Sequence, residues 1–171
     1  MCALTKKISS NARFKLAHFN FLHRTYITLV LLNRIDPSKS SACPRCQDPT
    51  ATFLHLAWQC PAVYSFWQAV ANRVSSVART QCPLDPRVCL LGDIPVKPSR
   101  RSVMHTNPKL RIRFIHLLLV LAKRRVAISW MGTRALDIAR WERDLGEWAV
   151  VEEVRMRKTR RGEKLDEYLE I

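Results

Sequence analysis

Four side chains combine metal-binding chemistry with a spacing that can use it. Cys43 and Cys46 frame the tetrapeptide C-P-R-C, and His55 and Cys60 follow as H-x4-C after eight intervening residues. Thiolate sulfur and imidazole nitrogen are the ligands zinc prefers in tetrahedral sites, and a two-residue gap lets a tight knuckle present two sulfurs to one ion. Pro44 stiffens that knuckle. The second pair needs a different device, because residues five apart stand about 140° from each other around an ideal helix and one regular helix splays them. Pro61 disfavours helical backbone at Cys60, which ends a turn over residues 52–59 and swings the Cys60 sulfur back toward the ion. Four protein ligands leave no open coordination position, so the expected Zn2+ is structural. The competing reading makes His55 and Cys60 packing residues beside Phe53, Leu54 and Trp58, with Cys43 and Cys46 as loop thiols.

Other reactive side chains form no such set. Cys82 and Cys89 have no histidine nearby and are expected as free core thiols. His18, His23, His105 and His116 have no nucleophile pattern around them, and His116 is expected as a hydrogen-bonded core histidine. Asp36, Asp48, Asp85 and Asp93 are isolated, and no glycine-rich phosphate cradle or nucleophile elbow is present. The expectation is a non-enzymatic chain with no catalytic residues.

Charge points to a partner class. The 171 residues carry a formal net charge of +15, and the stretch 94–136 holds ten Lys or Arg and no acid, whereas residues 137–171 are slightly acidic. A like-charged surface of this kind faces water, a polyanion or the acidic C-terminal segment. A phosphate backbone is the leading candidate, bound through counterion release with steep salt dependence and little sequence preference. The residues nominated for phosphate contact are Arg45 on the knuckle, Lys109, Arg111, Arg113, Lys123, Arg124 and Arg125, with Lys6 and Lys7 on a basic N-terminal arm. The alternative is a solvated, solubilising face. Trp58 could stack on a base, but beside Cys60 on an apolar turn it reads as core.

The elements that must position these groups read as mainly α: a small helical domain stapled by a CCHC zinc knuckle, with long C-terminal helices. Residues 1–12 form the basic arm, 13–80 the zinc-knuckle helical module, 81–108 a proline-rich connector, 109–161 a C-terminal helical pair and 162–171 an acidic tail. Within the module, residues 13–34 show mostly helical periodicity, with a short strand over 25–32 as the rival. Residues 61–79 read as a helix with Pro61 in its first turn and Val63, Phe66, Trp67, Val70, Val74 and Val77 as its apolar stripe. Residues 88–91 form a short apolar plug in the connector. Residues 109–130 read as a central helix, apolar nearly all round, with charges gathered at both ends. The last helix, over 135–161, carries Ile138, Trp141, Leu145, Trp148 and Val151, and Gly146 weakens its middle by about 1 kcal/mol relative to Ala. The longest strongly apolar run, residues 115–122, is far short of the roughly 20 residues of a membrane span. No secretory signal of ordinary form opens the sequence, and the expected location is intracellular, nucleus or cytoplasm.

Several blocks, in order, resemble a known family: L-H-R-T-Y at Leu22 to Tyr26, the C-P-R-C knuckle, F-L-H-L-A-W-Q-C-P from Phe53 to Pro61, F-W at Phe66 and Trp67, and I-S-W at Ile128 to Trp130. The chain is similar to the C-terminal segment of LINE-type (non-LTR) retrotransposon reverse transcriptase polyproteins. That resemblance implies zinc ligation by Cys43, Cys46, His55 and Cys60 and association with RNA or DNA, with other retrotransposon proteins as further partners. The polymerase and endonuclease motifs of such polyproteins are absent from the sequence, so the expected chain is a truncated element product. Two rival functions accompany this one: a docking fragment with purely structural zinc, whose face is the amphipathic stripe from Ala135 to Val154 and which exposure of Trp141, Leu145 and Trp148 as one patch would favour, and a non-functional element remnant.

Overall fold

A computed structural model describes residues 11–95 and 108–158, with side chains over 11–95 and 110–154. The basic arm before residue 11, the middle of the connector at 96–107 and the tail beyond 158 lie outside the described residues, and Lys6, Lys7 and His105 lie there with them. Among the described residues the protein is mainly helical, without strands.

Helix α1 (Ala12–Leu22) opens on Asn11, whose side chain accepts from the Arg13 N–H at 2.9 Å. It buries Phe14, Ala17, His18 and Phe21, a stripe with the spacing of one helical face. The chain leaves it through Arg24 at φ 52°, a left-handed position that stops the helix. Thr28 then caps α2 (Leu29–Ile35) through its Oγ1, 3.2 Å from the Leu31 N–H. This cap decides residues 25–32 against the rival strand, because it satisfies a backbone donor that a helix start leaves orphaned. Pro37 stands just beyond, and Asp36 before it is extended.

Helix α3 (Pro61–Val77) begins at its proline and buries Val63, Phe66, Trp67, Val70 and Val74 as the periodicity predicts. In the connector the apolar plug is a π-type turn (Arg87–Leu91) with Val88, Cys89 and Leu90 buried. Helix α4 (Pro108–Ile128) is the centre of the fold and packs against α1, α3 and α5 (Ile138–Lys158), with the plug on one side. Every residue from Phe114 to Lys123 is buried. Each Leu or Ile fully withdrawn from water there contributes about 1.5–3 kcal/mol before entropy is counted. Helix α5 starts at Asp137, whose Oδ1 accepts from the Ala139 N–H at 2.9 Å. Its Trp141 is fully buried and donates its indole N–H to the Leu118 carbonyl at 3.3 Å. Leu145 and Trp148 also pack on the core, whereas Val151 is exposed. The stripe proposed for docking is thus buried at Trp141, half-buried at Leu145 and Trp148, and exposed at Val151 and Val154. No helix of the described residues is long and apolar enough to cross a membrane.

Candidate metal centre

The knuckle is built by a loop closed at its base. Ser41 accepts the Ala51 N–H at its carbonyl (3.0 Å) and donates its hydroxyl to the Pro49 carbonyl (2.8 Å). Inside that closure the Cys43 N–H reaches the Asp48 carbonyl at 2.7 Å, and the Gln47 N–H reaches the Cys43 carbonyl at 2.9 Å. Gln47 takes φ 63°, the left-handed turn that folds the chain back past Cys46.

The other two ligands come from a wide turn. His55–Gln59 is π-helical, and the Cys60 N–H donates to the His55 carbonyl at 2.9 Å. Five-residue spacing splays two side chains on an α-helix, but a π-turn adds a residue to the repeat and brings positions i and i+5 toward one side. Cys60 itself stands at φ −57°, ψ 126°, the extended backbone that Pro61 demands. The proline effect is as the sequence implies; the type of turn before it is the device that the sequence did not disclose.

Together these loops gather Cys43, Cys46, His55 and Cys60 so that all four donor atoms lie within 4.8 Å of one another. The Cys43 and Cys60 sulfurs are 3.8 Å apart, and the Cys46 sulfur is 3.3 Å from His55 Nε2. A disulfide needs about 2.05 Å, and Cys43, Cys46 and Cys60 are free thiols. A tetrahedral ion with metal–sulfur bonds near 2.3 Å and metal–nitrogen bonds near 2.0–2.1 Å sets sulfur–sulfur edges of about 3.8 Å and sulfur–nitrogen edges of about 3.6 Å. The Cys43–Cys60 edge equals that of such an ion, and the Cys46–His55 edge is about 0.3 Å shorter. Cys43 and Cys60 are fully buried and His55 nearly so, which suits a closed structural site rather than one open to substrate.

Electrostatics pull the thiols of the set in opposite directions. Burial alone pushes the Cys43 thiol up, yet the backbone N–H groups of Arg45 and Cys46 and the His55 ring outweigh it and draw it down to about 7. Cys46 is raised by burial and by the neighbouring sulfurs of Cys43 and Cys60. Asp48 Oδ2 sits 3.8 Å from His55 Nδ1, the side on which ligating histidines are commonly oriented by a carboxylate. Asp48 is itself held by the Thr50 N–H and hydroxyl at 2.8 and 3.0 Å.

The core supports this knuckle with residues from separate sequence blocks. Trp130, just past α4, packs its ring against Phe21, Tyr26 and Phe53 with centroids 5.1–5.9 Å apart and donates its indole N–H to the Ile27 carbonyl at 2.6 Å. Trp58 is core, stacked near Trp67, whose indole N–H reaches the Ala57 carbonyl at 2.9 Å. Cys82 and Cys89 are buried free thiols, raised by burial to about 11 and 12 and so inert. No protein-family model matches the chain.

The basic residues nominated for phosphate contact are dispersed. Arg45 lies folded onto the end of α4, its guanidinium donating to the Ser129 carbonyl and, at 3.4 Å, to that of Trp130. Lys123 is 1% exposed, with Nζ 2.8 Å from His18 Nδ1. A buried ammonium cannot reach a polyanion, which corrects its place among the contacts; the helix turns it toward α1 instead of solvent. Arg124 and Arg125 both pair with Asp144 of α5, Arg124 at 3.3 Å and Arg125 through two nitrogens. Asp144 of α5 thus covers part of the basic cluster. Arg113 is exposed, Arg111 half-buried, and Lys109 stands in the first turn of α4 with its side chain outside the described residues. His116 is buried in the core, its pKa lowered to about 4 by burial and by Lys123.

Sequence reasoning missed two arginines. Arg134 and Arg140 line a cleft of about 430 Å³ at the elbow between α4 and α5, together with Arg125, Ile128, Leu136 and Asp137. Arg134 belongs to the acid-free stretch and was visible as charge, but only the folded elbow brings it beside Arg140.

Proposed function

We propose that this protein is a non-catalytic, zinc-stapled helical module that binds nucleic acid through its phosphates, related to the C-terminal segment of LINE-type retrotransposon polyproteins. The observation that carries the metal half is the closed Cys43, Cys46, His55 and Cys60 set, whose sulfur–sulfur separation of 3.8 Å matches a tetrahedral zinc edge. Three thiolates and one imidazole select zinc over hard cations. With four protein donors the ion has no site for water, and its role is to hold the knuckle against the Phe21, Tyr26, Phe53 and Trp130 cluster.

The nucleic-acid half is supported by the net charge of +15 and by surface arginines such as Arg134 and Arg140, for which no carboxylate or carbonyl partner is present among the described residues. A salt titration of RNA and DNA binding by the zinc-loaded chain tests it. Affinity falls steeply and linearly in log–log form as salt rises, with similar values across sequences. Affinity held from low to high salt contradicts the phosphate reading. Burial of Trp141 against Leu118 of α4 weighs against the docking alternative.

A further inference from the structure

We infer that the α4–α5 elbow is a phosphate-binding cleft that seats one nucleotide of a single strand, with Arg134 and Arg140 as the phosphate-binding residues. This rests on the nucleic-acid reading above and gives it a location that the sequence did not nominate.

The cleft has the size and the chemistry for such a group. Its volume of about 430 Å³ falls in the range of small-ligand sites. One wall is cationic, formed by Arg134 and Arg140, both exposed. Another is apolar, formed by Ile128 and Leu136, and offers a surface to a sugar or a base face. Planar guanidinium groups match phosphate oxygens in pairs, so two of them in a cleft also lined by apolar side chains suit a nucleotide better than a simple inorganic ion.

The other charged side chains of the lining are Arg125 and Asp137. Arg125 is held by Asp144, which fixes one wall in place. Asp137, the acid of the lining, accepts from the Ala139 N–H through Oδ1 and caps α5. Arg134 and Arg140 are thus the cations left to meet a ligand. Exposed guanidinium groups give up little hydration on meeting a phosphate, whereas a partly buried ion pair would first have to break.

The metal knuckle supports this cleft from behind. Arg45, between two metal ligands, donates to the carbonyl of Ser129, and Ser129 is part of the cleft lining. Arg45 is a positioning residue: it fastens the end of α4 to the knuckle, so the shape of the elbow depends on an intact metal site.

The test is fluorescence anisotropy with a labelled single-stranded RNA and a labelled DNA duplex, on the full zinc-loaded chain. The Arg134→Ser/Arg140→Ser variant is compared with Arg13→Ser/Arg34→Ser, which removes the same charge from α1 and α2. All four arginines are exposed, so both variants keep the fold. The cleft variant is expected to lose tenfold or more in affinity for the single strand, with a log–log salt slope shallower by about 0.7, the value for one phosphate of a single strand. The control loses threefold or less. Equal losses in the two variants overturn the cleft and leave the nucleic-acid reading standing. No binding by the parent chain overturns both. An equal tenfold loss toward poly-glutamate marks general charge attraction and overturns the nucleotide assignment.

Discussion

Lys123→Met is expected to stabilise the protein at neutral pH and to destabilise it in strong base. The ammonium lies in the core between α1 and α4, and burial, offset slightly by Cys89, lowers its pKa from 10.5 to about 7. In the unfolded chain the same group keeps its proton up to its ordinary value. Between the two values the unfolded chain therefore binds the extra proton, and wild-type stability rises with pH by up to about 1.4 kcal/mol per unit. Below pH 7 the full handicap applies, roughly 4–5 kcal/mol for a fall from 10.5 to about 7. Methionine has nearly the same shape and no proton to lose. It also strips His18 Nδ1 of the partner 2.8 Å away, at a cost of about 1–3 kcal/mol. The net is a gain of about 2–3 kcal/mol at pH 7 that shrinks with rising pH, crosses zero near pH 9 and turns into a loss at pH 10. Urea unfolding of both zinc-loaded proteins at pH 7, 8, 9 and 10 measures it, since the metal is common to the pair. A difference that does not change with pH would refute the buried, proton-losing lysine.

Three other substitutions probe the packing. Gly92 holds φ +78°, and a Cβ there would meet the His116 ring at 2.8 Å, so Gly92→Ala should cost about 2 kcal/mol or more in urea unfolding. Gly146→Ala, with open space around the site, should instead raise stability by about 1 kcal/mol in the same assay. Asp144→Ala leaves Arg124 and Arg125, 24% and 19% exposed, without their shared carboxylate; a loss of about 2–4 kcal/mol is expected, read from the urea midpoint.

The Cys/His cluster was legible because its spacing is written locally: a two-residue gap and a proline after the last cysteine act over a few bonds. The π-turn at His55–Gln59 was not, since an i to i+5 bond leaves no residue signature distinct from an ordinary helical turn. Helix α3 and the centrality of α4 followed from apolar periodicity, and both are present. The same periodicity misplaced Lys123. A helix apolar nearly all round has no outward face to read, and a lysine beside two arginines looks like surface until α1 brings His18 against it. Tyr26, Phe53 and Trp130 come from three separate blocks, and their meeting is a tertiary fact. So is the convergence of Arg134 and Arg140 across the elbow.

The central claim is a single structural zinc held by Cys43, Cys46, His55 and Cys60. Metal quantification by plasma mass spectrometry on the purified chain, beside Cys43→Ser and His55→Ala, tests it most directly. One zinc per chain in the parent and a near-complete loss in both variants is the predicted result. A parent without zinc, or variants that keep the parent's content, would contradict it.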